Sequence, residues 1–192
     1  MTYDPIEKLN ETIARARDSG DAYADAAVLA TAGEEGAPSA RMLLVKKVDR
    51  AGLVFYTNLN SRKAQELKAN PRASLCFWWP GLQIQIRAEG TVEPVGHDEA
   101  DAYFAGRPRG SQIGAWASNQ SAELPGRDTL TAAFAEAAER FGDGPVPRPP
   151  HWSGFRLVPR VIEVWQGRPD RLHHRLRFAR RGDTWEPSLL YP

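Results

Sequence analysis

The sequence predicts a mainly β fold, an antiparallel sheet closing into a small barrel with helices at its periphery. Three observations carry this reading. Short runs rich in β-branched and aromatic residues recur between residues 26 and 95, bounded by Gly, Pro, Asn and Asp. They follow hairpin on hairpin without crossover helices, which favours antiparallel pairing and closure. Helical periodicity is concentrated near the N-terminus and between residues 97 and 141.

Asp4-Pro5 followed by Ile6, Leu9, Ile13 and Ala16 predicts an amphipathic helix with a proline in its first turn, ending near Gly20, so residues 1–22 form an N-terminal appendage. Ala26 to Ala32 is the first strand, and Gly33-Glu34-Glu35-Gly36 turns into a second that begins near Ser39. That run culminates in Arg41 to Lys46, and Leu53 to Thr57 forms the next strand. The link Val48 to Gly52 carries the Asp and Gly of a hairpin loop, so these two runs are expected to pair with each other. Ser61 caps a helix that starts with Arg62 and Lys63, and Asn70-Pro71 closes it. Ala73 to Trp79 is a strand, and Pro80-Gly81 turns it into Leu82 to Val95. There, alternation puts Gln83, Gln85 and Arg87 on one face and Ile84, Ile86 and Ala88 on the other. A helical insertion over residues 97–141 is broken at Pro108; its last helix, Asp128 to Phe141, carries an apolar stripe of Leu130, Ala133, Phe134 and Ala137. Gly142 to Pro150, with four prolines, is a linker. Residues 155–192 return to strands at Phe155 to Val158, Val161 to Gln166, Leu176 to Arg180 and Trp185 to Leu190.

A chain of 192 residues with 42% hydrophobic and 26% charged content fits one globular domain spanning 1–192. A net charge of +1 supplies no general attraction to nucleic acid or to an anionic membrane, although eight arginines fall between Phe155 and Arg181. The single cysteine, Cys76, excludes an internal disulfide and points to a reducing compartment; within its apolar run it reads as a small buried hydrophobe. No apolar stretch approaches the roughly 18 residues of a membrane span, and the charged segment Met1 to Gly20 is no signal peptide, so a cytoplasmic protein is expected.

Two groups of cations stand out. Arg62 and Lys63 at a helix start, with Arg41 on a strand, suit a phosphate monoester, because a helix N-terminus adds unsatisfied N–H groups and a positive dipole end. A solvated basic helix start is the alternative. Tyr103, Arg107 and Ser111 recur every four residues, and with Lys46 they offer a second oxyanion cradle if a turn at Pro108 brings them together; isolated surface residues are the alternative. Arg41 and Lys46 differ in strand parity, which suits two ligands better than one. Gln120 and Ser121 offer amide and hydroxyl groups. By the same parity, Arg171, His173 and Arg175 would share one strand face, opposite Leu172 and His174. Adjacent histidines on a strand point apart and no thiolate or carboxylate pattern completes a set, which argues against a metal. Glycine-rich dinucleotide fingerprints and a nucleophile elbow are absent, and no row of exposed aromatics accompanies the arginines as RNA binding would require.

Arg-x-Leu-Leu-x-Lys at 41–46, Phe-Tyr-Thr-Asn at 55–58, Ser-Arg-Lys at 61–63, Arg-Pro-x-x-Ser-Gln-Ile-Gly-Ala at 107–115 and Trp-Gln-Gly-x-x-x-Arg-Leu-His at 165–173 occur in order. In these motifs the chain resembles the pyridoxine/pyridoxamine 5'-phosphate oxidases over roughly residues 26 to 192. The resemblance implies an FMN-binding split barrel of Greek-key-like connectivity, active as a homodimer with FMN at the subunit interface. It implies FMN contacts from Arg41, Met42, Leu43, Leu44, Tyr56, Thr57, Arg62, Lys63, Gln85, Gln120, Ser121, Trp165 and Arg175. Lys46, Tyr103, Arg107 and Ser111 would hold the substrate phosphate, with Arg171 and His173 over the pyridine ring beside the reacting carbon. The implied reaction is oxidation of a phosphorylated B6 vitamer to pyridoxal 5'-phosphate, with O2 as acceptor. The chain departs from the family pattern at Ile84, at His174, in its Leu189-Leu190-Tyr191-Pro192 terminus and in its short N-terminal segment, which bears on substrate identity and turnover. A flavin oxidase acting on another ring system, as in phenazine-type biosynthesis, and a non-catalytic FMN or pyridoxal-phosphate carrier are the rival readings.

Overall fold

The computed structural model describes residues 4–192, so the first three residues of the expected N-terminal appendage lie outside the described residues. Helix α1 (Pro5–Asp18) opens with Asp4, whose carboxylate accepts the Ile6 amide at 2.8 Å, and buries Ile6, Leu9, Ile13 and Ala16 as its spacing predicts. Strands β1 (Ala26–Ala32), β2 (Pro38–Leu44), β3 (Lys47–Asp49) and β4 (Gly52–Asn58) follow, then α2 (Arg62–Ala69), β5 (Arg72–Trp79) and β6 (Ile84–Pro94). Helices α3 (His97–Ala105), α4 (Arg109–Ala117) and α5 (Arg127–Phe141) precede β7 (Trp152–Gln166), β8 (His174–Arg181) and β9 (Thr184–Leu190).

All pairings are antiparallel, in the order β2-β1-β5-β6-β7-β4-β3, with β8 and β9 continuing from β7. The two ends of that path, β2 and β3, are joined by only Val45 and Lys46, which forces the sheet to curl. The Val45 amide donates to the Asp25 carbonyl at 2.8 Å and the Lys46 amide to the Val54 carbonyl at 2.8 Å, so the junction stitches both edges of a split barrel. Its interior holds Leu29, Leu53, Phe55, Leu75, Phe77, Ile86, Leu157 and Ile162, all within the main core, with α1 packed on it through Leu9. Each such buried side chain contributes about 1.5–3 kcal/mol of hydrophobic stabilisation.

Three expectations are corrected. The run 41–46 does not pair with 53–57: β2 pairs with β1, and the hairpin loop joins β4 to the three-residue β3. Two hydrophobic runs flanking a good turn were read as one hairpin, but the chain changes edge at Val45-Lys46 between them. The runs 155–158 and 161–166 form one strand, because a register shift between Glu89 and Gly90 on β6 accommodates Pro159 without breaking β7. Gly90 is required there, since a Cβ would lie 2.0 Å from the Val158 carbonyl oxygen. Finally, the α5 stripe enters the core only at Ala137; Leu130 and Phe134 are 39% and 40% exposed. Ala137 joins a second, smaller core with Phe104, Ile113, Val146 and Trp152, which seats the helical insertion on the end of β7.

Candidate active site

Where β4 leaves the barrel, Tyr56, Thr57 and Asn58 face the helical insertion, and a cavity of about 830 Å³ opens between them. Lys46, Tyr103, Arg107 and Ser111 all line it, with Leu43, Leu44, Tyr56, Thr57, Gln120 and Trp152. The expected convergence of the second cation group is therefore present, and Pro108 produces it: it ends α3 and starts α4 at an angle, turning Arg107 and Ser111 inward. Arg156 of β7 holds α3 in place by donating to Glu99 at 2.9 Å while also reaching Asp49 at 3.2 Å.

The cavity wall is aromatic. Tyr56 stacks on Tyr103 with centroids 3.9 Å apart and planes 2° from parallel, and Trp152 lies parallel at 5.3 Å from Tyr56. Burial, with Glu99 and Tyr103 nearby, pushes the Tyr56 phenol up to about 12, so it stays protonated. Gly154 opposite Tyr56 is required by this packing, because a Cβ would come within 2.7 Å of the tyrosine ring. The Arg107 guanidinium lies 4.7 Å over Trp152, and its Nη1 is buried without a hydrogen-bond partner. That desolvation pulls its pKa below the usual arginine value. A buried, unpaired cationic donor is costly, and an anion entering the cavity relieves it. Lys46 is held at the rim by Asp25 at 2.8 Å.

The first cation group adjoins this cavity through Thr57 and Gln120. Lys63 Nζ donates to Thr57 Oγ1 at 3.2 Å and to Gln120 Oε1 at 3.0 Å, and burial and the Arg41 charge lower its pKa. Arg41 and Arg62 meet on a carboxylate that the sequence reading missed. Glu66 Oε2 accepts from Arg41 at 3.2 Å and Oε1 from Arg62 Nε at 2.8 Å, while the Thr31 and Ser39 hydroxyls each donate to Oε2 at 2.6 Å. Burial alone would raise the Glu66 pKa, but these four donors bring it down to about 2. The Arg62–Glu66 spacing of four on a helix was the available signal. Ser61 starts α2, but its hydroxyl donates to the Asn58 carbonyl at 2.7 Å instead of capping the helix. Ser121 follows Gln120 with a left-handed φ of 73°, and Met42 is 63% exposed.

The remaining site residues lie elsewhere. Gln85, Trp165 and Arg175 are consecutive cross-strand partners on β6, β7 and β8, with Trp78 next in the row. Arg175 and Arg87 converge on buried Glu163 at 2.7 and 2.8 Å, which raises the Arg175 pKa. His173 packs on Trp165 at 4.5 Å between centroids. The expected strand parity of Arg171, His173 and Arg175 is corrected: β8 starts only at His174, and Arg171 sits in a tight turn with φ 60° after Asp170 at 56°. Along β7, eleven residue steps separate Gly154, opposite Tyr56, from Trp165, about 36 Å of strand at about 3.3 Å per residue.

Among the described residues, no group of three or more His, Cys, Asp or Glu side chains is arranged to hold a metal, and no helix is long and apolar enough to cross a membrane. Burial pushes the half-buried Cys76 thiol above its usual pKa.

Comparison with known proteins agrees with the geometry. The family described as pyridoxamine 5'-phosphate oxidase matches residues 21–141, and the pyridoxine 5'-phosphate oxidase C-terminal dimerisation region matches residues 152–192. Proteins named pyridoxine/pyridoxamine 5'-phosphate oxidase from Anaeromyxobacter dehalogenans and Myxococcus xanthus strain DK1622 are 52% and 50% identical, each over 98% of this chain and over 96% and 92% of their own lengths. Among solved structures, PhzG from Burkholderia lata 383, in complex with tetrahydrophenazine-1-carboxylic acid, superposes with a TM-score of 0.93 at 35% identity, covering 98% of this chain and 93% of that one. A pyridoxamine 5'-phosphate oxidase-related, FMN binding protein from Nostoc punctiforme shares the fold at 19% identity and a TM-score of 0.80 over the full length of both chains. With both halves of the chain matched and half of its residues shared with such relatives, this protein belongs to the pyridoxine/pyridoxamine 5'-phosphate oxidase family of FMN-dependent oxidoreductases.

Proposed function

We propose that the protein oxidises pyridoxamine 5'-phosphate or pyridoxine 5'-phosphate to pyridoxal 5'-phosphate with bound FMN and O2, as a homodimer in which each active site draws on both subunits. The observation that carries the reading is the buried, unpartnered Arg107 Nη1 in a cavity that also presents Lys46, Tyr103 and Ser111. A phosphate monoester satisfies all four, and the Tyr56–Tyr103 face suits a flat ring attached to it.

FMN fits the residues present. Arg41, Arg62 and Lys63 would hold its phosphate; Leu43, Leu44, Tyr56, Thr57 and Gln120 would flank the rest from one subunit, and Gln85, Trp165 and Arg175 from the other. Bound FMN would supply the two-electron chemistry, with O2 as the terminal acceptor. The chain's own contribution is positional. Two separate cation groups pin two phosphates, which fixes the reacting carbon and exchanges bimolecular encounter for orientation worth several kcal/mol, roughly 7–11 at most. Arg171 and His173, with His173 braced on Trp165, would orient the pyridine ring from the partner side. For the amine substrate the balanced change would be amine, O2 and water to aldehyde, ammonia and H2O2: the exocyclic carbon gives up a hydride, its nitrogen a proton, and water hydrolyses the resulting imine.

The similarity to PhzG favours a second reading, oxidation of a partly reduced tricyclic carboxylic acid. Such a substrate would offer Arg107 a monoanionic carboxylate with two oxygens, fewer acceptors than a phosphate presents to Lys46, Tyr103, Arg107 and Ser111 together. Oxygen consumption by the FMN-loaded protein separates the readings: turnover of either B6 vitamer 5'-phosphate, with much weaker turnover of the dephosphorylated vitamers, supports the proposal. Turnover of a reduced phenazine carboxylate alone overturns it.

A further inference from the structure

We propose that Glu66 is a positioning residue of the flavin-phosphate anchor, and that it gives the site its preference for the phosphorylated flavin over riboflavin. The proposal rests on the assignment of Arg41, Arg62 and Lys63 to that phosphate.

Three cations gathered at one strand edge and one helix start repel one another. Left alone, the exposed Arg62, whose side chain is 67% accessible, would swing into solvent. Glu66 prevents this from beneath. Its two oxygens divide the work: Oε1 takes only Arg62 Nε, which leaves the terminal nitrogens of that guanidinium free as a fork, and Oε2 takes Arg41 Nη2. The Thr31 and Ser39 hydroxyls donate to Oε2, so their lone pairs are turned toward Arg41, which donates to both at 2.5 Å. Arg41 Nη1 also donates to the Leu29 carbonyl at 3.3 Å. Both Arg41 terminal nitrogens are thus committed to the protein, and Arg41 acts on an incoming anion mainly through its charge and its Nε–H. The direct donors are the Arg62 fork and Lys63.

Charge matching follows. Three cations and one carboxylate leave +2 at the anchor, equal and opposite to a phosphate monoester dianion, with the positive end of α2 beside it. Without Glu66 the anchor carries a larger charge but loses its geometry. Fixed donors cost no reordering when the ligand arrives, whereas a loose, strongly hydrated cation cluster does.

The test uses flavin-free protein titrated with FMN and, separately, with riboflavin, read by flavin fluorescence. For Glu66→Gln the expected result is an FMN Kd raised at least about tenfold with a riboflavin Kd changed by less than about twofold. A merely structural role would weaken both ligands together, and a purely coulombic one would tighten FMN; either result overturns the proposal. Ser39→Ala, which removes one donor to Glu66 and one acceptor of Arg41, is the milder variant should Glu66→Gln not fold. It is expected to narrow the FMN-to-riboflavin ratio in the same direction, and an unchanged ratio overturns the proposal as well. Lys63→Ala is the control on the underlying assignment. If it too leaves the ratio intact, the phosphate lies elsewhere and the flavin-site reading falls; if it collapses the ratio while Glu66→Gln does not, only the role of Glu66 falls.

Discussion

At the scale of single residues, the site is defined by charges whose partners are either missing or supplied from below. Arg107 has a buried nitrogen with nothing to bond, so its removal sheds a desolvated cation and costs the unliganded protein only its stacking on Trp152 and Phe104. Arg107→Ala is expected to raise KM for a B6 5'-phosphate by about 10- to 100-fold, the loss of a charged hydrogen bond worth about 1.5–3 kcal/mol. Thermal stability of the unliganded protein should change little, and steady-state kinetics beside a melting curve check both. Arg171 predicts the converse: Arg171→Ala should lower turnover at least about tenfold, about 1.4 kcal/mol of barrier, with bound FMN retained in the visible spectrum. Unchanged turnover would remove it from the reacting ring. Glu66 carries a pH signature. Its folded pKa, about 2, lies below its unfolded value of 4.5, so the stabilisation is complete above 4.5 and is lost as pH falls from there toward 2. The melting-temperature gap between wild type and Glu66→Gln should therefore be open at neutral pH and close across that acid window. A gap independent of pH would mean that the carboxylate charge is not what Arg41 and Arg62 use. Lys46, Arg107 and Lys63 could be picked out by residue type, but Glu66 could not, because a glutamate four residues after an arginine on a helix is ordinarily a surface ion pair.

At the scale of elements, the cavity depends on β4, α3 and β7 meeting closely at one point. Gly154 on β7 is where they meet, and a Cβ there would press on the Phe55 carbonyl oxygen and the Tyr56 ring, both at 2.7 Å. Gly154→Ala should destabilise the fold by about 1–3 kcal/mol and displace Tyr56 from Tyr103. Differential scanning fluorimetry and the near-UV circular dichroism of the stacked rings read the two effects separately. Most element boundaries were legible because hydrophobic alternation and turn residues act locally: β1 was placed at its observed ends, and the inward set of Ile84, Ile86 and Ala88 is buried as its parity requires. Pairing partners were less so. Nothing in residues 41–57 announces that the chain switches edges at Val45-Lys46, because that switch is made by hydrogen bonds to Asp25 and Val54, distant or out of register in the chain. Parity likewise failed at Arg171 and His173, where two left-handed residues end the regular backbone on which a parity argument relies.

At the scale of the molecule, Tyr56 and Trp165, both proposed to flank the flavin, are separated by about 36 Å of strand along β7, which divides the proposed flavin contacts into two sets. In the proposed two-fold dimer, the near set of one subunit would meet the far set of the other. Lys63→Ala and Arg175→Ala should each be nearly inactive alone, yet co-refolded together they should recover roughly a quarter of wild-type activity. Half of the dimers formed are hybrids, and one of their two sites is intact. No recovery would mean that each site is built from one chain. The sequence by itself determined the antiparallel β class, the main helices and the order of the cation-bearing motifs, since these follow from local periodicity, turn chemistry and residue type. Only the tertiary structure decided which strands became neighbours, that Pro108 turns Arg107 and Ser111 into one cavity, that Glu66 lies beneath two arginines, and that the motif residues fall into two distant groups. Those outcomes depend on barrel closure and on burial, which bring together residues that no spacing along the chain relates.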